Sequence, residues 1–291
     1  MQLHSIDTGK FKLDGGAMFG VVPKSIWNKL NPADENNLCT WALRCLLIEE
    51  GDRKILIDTG MGNKQDERFF NHYHPHETVS LEAALLQKNT TTADITDVLL
   101  THLHFDHVGG AVQKNIDSLE VVFPNATYWV SEPQWELALN PNKREKASFL
   151  KENIIPLKES GRLKLISIPP FKSNQSLQEI HFSDNITCYI VNGHTQGMLL
   201  PKITMGDKVI VYMADLLPSV GHIPLPYIMG YDMQPLITLH EKEIFLQTAC
   251  QNKYILFFEH DPVNECCTLF DTEKGIRAEH LFKLDSLSST I

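Results

Sequence analysis

Apolar, β-branched runs recur along the chain with helical segments between them, the alternation expected of an α/β protein with buried sheets. Strands are predicted over Ala42–Ile48, Lys54–Ile57, Asp97–Thr101, Ala126–Val130, Lys164–Ser167, Ile186–Val191, Lys208–Ala214 and Tyr254–Phe258. Helices are predicted over Ser80–Lys88, Glu132–Leu139 and Leu239–Gln251. Two of them carry start signals. Ser131 with Gln134, and Thr238 with Glu241, fit a capping box, in which side chains satisfy the orphan N–H groups of the first turn. Polar clusters at Asn140–Lys146 and Lys172–Gln178 read as loops. The opening forty residues, with Gly15-Gly16, Gly20, Pro23 and Pro32, read as mostly irregular, a segment placed to cover something.

Composition narrows the class. The 291 residues carry 26 Lys+Arg against 36 Asp+Glu, a net charge of −10, which argues against a protein held to nucleic acid by a basic surface. At 43% hydrophobic and 21% charged, the chain is an ordinary folded globule. No low-complexity tract or Pro/Ser linker marks a boundary, so one domain over 1–291 is expected, with 1–40 as its irregular opening segment. No stretch approaches the roughly 18–20 apolar residues of a membrane helix, and Met1 to Gly16 lacks the layout of a signal peptide. A soluble, cytoplasmic protein without membrane or nucleic-acid partners is the expectation, with a homodimer left open. Cys39, Cys45, Cys188, Cys250, Cys266 and Cys267 include no CxxC pair and read as reduced, buried thiols.

The informative chemistry lies in Thr101-His102-Leu103-His104-Phe105-Asp106-His107-Val108-Gly109-Gly110, three histidines and a carboxylate in six positions directly after an apolar strand. Imidazole nitrogens and carboxylate oxygens are the ligands that borderline divalent ions select, and a tight turn after a strand holds them on a rigid scaffold. His102 and His104 are two apart, so extended backbone projects both rings to one side. Asp106 and His107 follow where the chain bends and face a second ion in this reading. The remaining ligands should then lie at other strand ends. His194 follows the run Thr187–Val191, Asp215 ends Lys208–Ala214, and His260 ends Tyr254–Phe258, each at the carboxyl end where ligands of α/β sheets collect.

From Trp41 to His260 the sequence resembles the metallo-β-lactamase superfamily. The resemblance rests on Asp58 in Leu56-Ile57-Asp58-Thr59-Gly60, the cluster at 102–107, His194 in Gly193-His194-Thr195-Gln196-Gly197, Asp215 and His260. It implies an αββα sandwich with a dinuclear site along one sheet edge. By the same resemblance His102, His104 and His194 bind one ion, Asp106, His107 and His260 bind the other, Asp215 bridges them, and Asp58 anchors the histidine loop without being a ligand. Two divalent ions, two aspartates and a bridging hydroxide leave a site of charge +1, suited to an oxyanion and to hydrolysis. The ions are expected to be zinc, with Mn, Fe or Co as alternatives.

Enzymes of this fold that hydrolyse β-lactams usually carry Cys or His where Asp215 stands, so the bridging Asp points instead to the di-metal lactonases, esterases and phosphodiesterases. In acyl-homoserine lactone lactonases a Tyr three residues past that Asp assists the substrate carbonyl; here the position is Pro218, and Tyr227 or His222 is the candidate to take over. Asp106, Tyr227 and His222 are thus the side chains expected to take part in the reaction.

The leading expectation is a metal-dependent hydrolase that attacks a small ester or lactone carbonyl. Hydrolysis of a phosphodiester or phosphotriester is the alternative, followed by iron-dependent thiol or persulfide oxidation and by a binding module that kept the fold without catalysis. Met18, Phe19, Trp27, Phe105 and Tyr227 stand equally as pocket lining and as core. His72-Tyr73-His74-Pro75-His76 reads as a solvated turn and not as a third metal site.

Overall fold

The computed structural model describes residues 1–116, 118–171 and 176–290, the last three of these as backbone alone. Residues 172–175 of the loop expected over Lys172–Gln178 therefore lie outside the described residues. The chain divides into two units, Met1–Gly9 with Leu43–Ile168 and Lys10–Ala42 with Pro169–Ile291.

In the first unit the sheet has the order Gln2–Asp14, Leu38–Glu50, Arg53–Ile57, Asp97–Leu99, Thr127–Ser131 and Leu163–Ile166, and its first two strands run on into residues counted with the second unit. The last four strands are parallel to one another. Parallel strands are covered on both faces, which is why Ile55-Leu56-Ile57 and Val98-Leu99 read as unbroken apolar runs, all of them buried. One core cluster gathers Leu47, Leu56, Val98, Leu100, Tyr128, Trp135 and Phe149 with their neighbours. Asp58 and the histidine cluster each follow the carboxyl end of a parallel strand, and so reach the same sheet edge.

The second unit has the sheet order Arg277–Phe282, Cys266–Phe270, Ile255–Phe257, Lys208–Tyr212, Met198–Met205, Ile186–Val191 and Gln178–Ser183. Lys208–Tyr212 and Ile255–Phe257 pair in parallel. Ile186–Val191 runs in the same direction, because two antiparallel pairings separate it from Lys208–Tyr212. The carboxyl ends of all three strands therefore share an edge, and His194, Asp215 and His260 follow them there.

Several sequence expectations need correction. The first forty residues are not mostly irregular: Gln2–Asp14 is a thirteen-residue strand, followed by short helices Gly15–Phe19 and Lys24–Trp27. Its buried positions Leu3, Ile6, Gly9 and Phe11 break strict alternation, and Gly9, at φ 118°, takes a backbone conformation that hides the period of two. Met198–Met205 escapes notice because Pro201 sits within it, and Lys151–Glu159 because Pro156 interrupts a helical pattern. Ser131 does cap the helix Glu132–Leu139, accepting from Gln134 N–H at 3.3 Å. Thr238 caps nothing. Pro235 opens that helix one turn earlier, leaving Thr238 inside it, and the Glu241 carboxylate accepts from the N–H groups of Asn192 (2.7 Å) and Gly193 (3.0 Å) instead.

All six cysteines are free thiols, and Cys250 alone among them is not fully buried. Among the described residues no helix is long and apolar enough to cross a membrane.

Candidate metal centre

The first unit sets its donors on a clamped turn. His104 precedes the four-residue helix Phe105–Val108, which carries Asp106 and His107. Thr59 fixes the far end of that helix, its N–H and hydroxyl both donating to the His107 carbonyl at 2.7 and 2.9 Å. Asp58 lies beneath it, fully buried at φ 55°. Its carboxylate accepts from Thr101 N–H (2.8 Å), from the Thr101 hydroxyl (2.7 Å) and from His107 Nδ1–H (3.1 Å). These hydrogen bonds tie Asp58 to the strand end at Thr101 and to the histidine turn.

These contacts decide which ring nitrogens carry protons. The Thr101 hydroxyl gives its hydrogen to Asp58, so at 3.1 Å it can only accept from His102 Nδ1–H. His104 Nε2 lies 3.1 Å from the Glu145 carboxylate and donates to it. In neutral rings the bare nitrogens are therefore His102 Nε2 and His104 Nδ1, and these face each other at 3.1 Å. Two lone pairs at that distance repel unless positive charge lies between them. A tetrahedral ion with bonds of about 2.0–2.1 Å separates its ligands by about 3.3 Å, so the spacing fits two donors on one cation. His107 likewise keeps Nε2 bare, at 4.0 Å from the Asp106 carboxylate.

The second unit repeats the logic around an anion. His194 Nδ1–H donates to Asp232 at 2.9 Å, and His260 Nδ1–H donates to the Ala42 carbonyl at 2.8 Å. The opposite nitrogens then point at the two oxygens of one carboxylate: His194 Nε2 to Asp215 Oδ2 at 3.0 Å, His260 Nε2 to Asp215 Oδ1 at 3.2 Å. An imidazole nitrogen against each oxygen of an anion calls for positive charge, supplied by a proton or by a cation. The electrostatics say the same. Burial alone would lower His194, but Asp215 and Asp232 together lift it from 6.5 to about 10. Across both units five histidines each give one N–H to a fixed acceptor, the arrangement by which proteins hold the tautomer of a ligating histidine.

The other expected participants are placed differently. His222 is buried, with Nε2–H donating to the Met18 carbonyl (2.9 Å) and Nδ1 accepting from the Ser219 hydroxyl (2.9 Å). Burial pushes it down to about 3, so the ring stays neutral with both nitrogens engaged and packs rather than moves protons. Met18, Phe19 and Trp27 are core: Phe19 stacks on Trp27 at 5.5 Å and on His222 at 4.4 Å. Phe105 packs against Phe69 (5.2 Å) and Tyr73 (4.6 Å) in its own unit. Tyr227 is half-buried, edge-on to Phe19 at 6.4 Å. His72 and His74 are exposed, and with His76 they join no group of three metal donors among the described residues.

Sequence reasoning missed Glu145, Asp232 and Thr101, the acceptors behind the ligand rings. Glu145 falls in a polar cluster read as loop, and Asp232 in a stretch without regular pattern. Neither carries a local signal, since each acts on a histidine about forty residues away. The strand-end position of Thr101 was visible; its link between Asp58 and His102 was not.

Comparison with known proteins finds relatives of similar length. The metallo-beta-lactamase superfamily pattern matches residues 44–113. The N-acyl homoserine lactonase AiiA of Bacillus thuringiensis subsp. kurstaki is 28% identical over 289 residues, covering 92% of this chain and 97% of the relative. Among solved structures, a probable metal-dependent hydrolase from Staphylococcus aureus superposes with a TM-score of 0.86 at 28% identity, over 97% of this chain and 96% of the other. AidC, a dizinc quorum-quenching lactonase in complex with a product, shares the fold with a TM-score of 0.75 at 24% identity, over 97% and 95% of the two chains. Residues 44–113 thus match the metallo-beta-lactamase superfamily, and the relatives and solved structures similar to the whole chain, lactonases among them, support a metal-dependent hydrolase.

Proposed function

We propose that the chain hydrolyses a small ester or lactone at a centre of two divalent cations. His102, His104 and His194 would hold one ion, Asp106, His107 and His260 the other, with Asp215 common to both. The observation that carries this reading is the pair of bare nitrogens, His102 Nε2 and His104 Nδ1, facing each other at 3.1 Å, matched by Asp215 between His194 and His260. Neither donor set is complete alone, since a tetrahedral site needs four ligands and a dinuclear one needs a shared anion. All donors are nitrogen or oxygen, which suits zinc and leaves Mn, Fe and Co as competitors.

When bound, two such ions supply Lewis acidity and a water ionised near neutral pH. The chain's own part is orientation. Asp58, Glu145, Asp232 and the Ala42 carbonyl fix the tautomers of His107, His104, His194 and His260. With Pro218 where the lactonases have their tyrosine, and His222 locked by Ser219 and Met18, Tyr227 is left as the side chain to hydrogen-bond the reacting carbonyl or the leaving oxygen. The relatives support the lactone class: AiiA bears the name of an N-acyl homoserine lactonase, and AidC that of a dizinc lactonase.

The test is a panel of lactones, aryl esters, phosphodiesters and phosphotriesters assayed on zinc-loaded chain. Lactone or ester turnover, lost together with metal in His104→Ala and Asp215→Ala and retained in His74→Ala, is the expected result. Background rates across the panel would remove the reading, an inverted preference would move it to phosphoryl transfer, and iron with oxygen uptake would move it to thiol oxidation.

A further inference from the structure

Lys242 is a buried lysine with an unusual task. It lies on the helix Pro235–Gln251 with no exposed surface, and no carboxylate stands within ion-pair distance of it among the described residues. Its ammonium donates instead to two backbone carbonyls of one turn, Pro224 O at 2.9 Å and Tyr227 O at 2.9 Å. That turn already closes on itself, Tyr227 N–H donating to Pro224 O at 2.9 Å, and Pro224 and Pro226 restrict its backbone further. The lysine therefore grips a stiff unit and sets its position as a whole.

Burial pushes the Lys242 ammonium down to about 7. An apolar side chain of equal length would fill the space without that penalty but would leave the Pro224 and Tyr227 carbonyls short of a donor. The lysine is thus kept for its grip on this turn, and what the turn carries gives the grip a use. The Tyr227 ring meets Phe19 edge-on, Phe19 stacks on His222, and His222 lies near enough to Asp215 and His260 to respond to their charge. The Tyr227 hydroxyl itself has no hydrogen-bond partner among the described residues.

We propose that Lys242 is a positioning residue for hydrolysis: by holding Pro224 O and Tyr227 O it fixes the place from which the Tyr227 hydroxyl meets the substrate. This rests on the ester or lactone reading given above. Lys242 touches neither substrate nor metal ligand: its hydrogen bonds act through the Pro224–Tyr227 turn, while its charge is also felt by Asp232 and His222, and the Tyr227→Phe background separates the two routes.

A double-mutant comparison on the full zinc-loaded chain tests this. Lys242→Met, Tyr227→Phe and the double variant are assayed for kcat, KM, zinc content and thermal unfolding on the best substrate of the panel. Lys242→Met should keep its zinc and its fold while kcat falls by about tenfold to a hundredfold, the range expected when a transition-state hydrogen bond is lost. KM should change little. In the Tyr227→Phe background the same substitution should cost nothing further, and Lys242→Arg, which keeps charge and donors, should recover part of the rate. If Lys242→Met does not fold, Lys242→Gln replaces it in the same comparison. Equal losses from Lys242→Met with and without the Tyr227 hydroxyl, or an unchanged kcat, overturn the proposal. A wild-type chain inert on the whole panel removes the hydrolase reading and this proposal together, whereas an active wild type with an unaffected Lys242 variant removes this proposal alone.

Discussion

Glu145 offers the sharpest check on how the histidine turn is held. Its side chain is buried, one oxygen accepting from His104 Nε2–H at 3.1 Å and the other from Asn142 Nδ2–H at 3.0 Å. The first bond obliges His104 to offer Nδ1, the nitrogen that faces His102. A hydrogen bond to a charged group contributes about 1.5–3 kcal/mol, and each 1.4 kcal/mol is a factor of ten in affinity. Removing the carboxylate should therefore weaken metal binding by roughly 10- to 100-fold, the range typical of acceptors behind ligating histidines. Glu145→Gln keeps one carbonyl oxygen but cannot accept from both His104 and Asn142, so about tenfold is expected of it, with Glu145→Ala at the upper end. Competition for zinc against a chromophoric chelator measures this directly. Affinities of both variants within twofold of wild type, beside a His104→Ala variant that has lost its zinc, would refute the reasoning, because the proton on Nε2 would then not be deciding the ligand atom.

Other outcomes follow from the same geometry. Asp58→Ala strands three buried donors, Thr101 N–H, the Thr101 hydroxyl and His107 Nδ1–H, so thermal unfolding should show a loss of at least about 3 kcal/mol and zinc content should fall; Asp58→Asn, which tolerates the left-handed backbone, should lose less. In the metal-free chain His194 is raised to about 10, so its stabilising charge is fully present below pH 6.5 and is lost as pH rises through about 10. Melting temperature should fall along that range, zinc loading at pH 7 should release a proton from His194, and zinc affinity should rise by up to about tenfold per pH unit; an affinity flat from pH 7 to 9 would contradict this. At Gly193 an added methyl would meet the Thr238 backbone nitrogen at 2.3 Å, so Gly193→Ala should displace the His194 loop and cut metal content even if the chain still folds, as metal analysis and circular dichroism together would show.

The proposed ligand set could be picked out because it obeys a local rule: each polar residue follows an apolar strand at its carboxyl end, and parallel strands put those ends on one edge. The buried runs Ile55–Ile57, Val98–Leu99 and Ile186–Val191 announced their strands for the same reason. What escaped depends on partners distant in the chain. Gly9 and Pro201 disturb strands that are held by their neighbours, and Pro235 moves a helix start that the Thr238–Glu241 spacing placed four residues later. Glu241 looked like half of a cap and is the clamp on the His194 loop. Glu145 and Asp232 carry no pattern at all, since a single hydrogen bond to a ring far along the chain leaves no periodic trace. His222 showed the converse: a histidine in a suggestive segment whose neighbours Ser219 and Met18 leave it no chemistry to do.

Zinc counted per chain by equilibrium dialysis with elemental analysis, on wild type and on two variants that each remove one ligand from a different donor set, tests the two-ion centre most directly. The account predicts two ions in the wild type, and in His102→Ala and His260→Ala no more than one, with hydrolysis of the lactone or ester lost in both. A wild type that binds a single ion or none, or a His260→Ala variant that still holds two ions and turns over substrate, would contradict it.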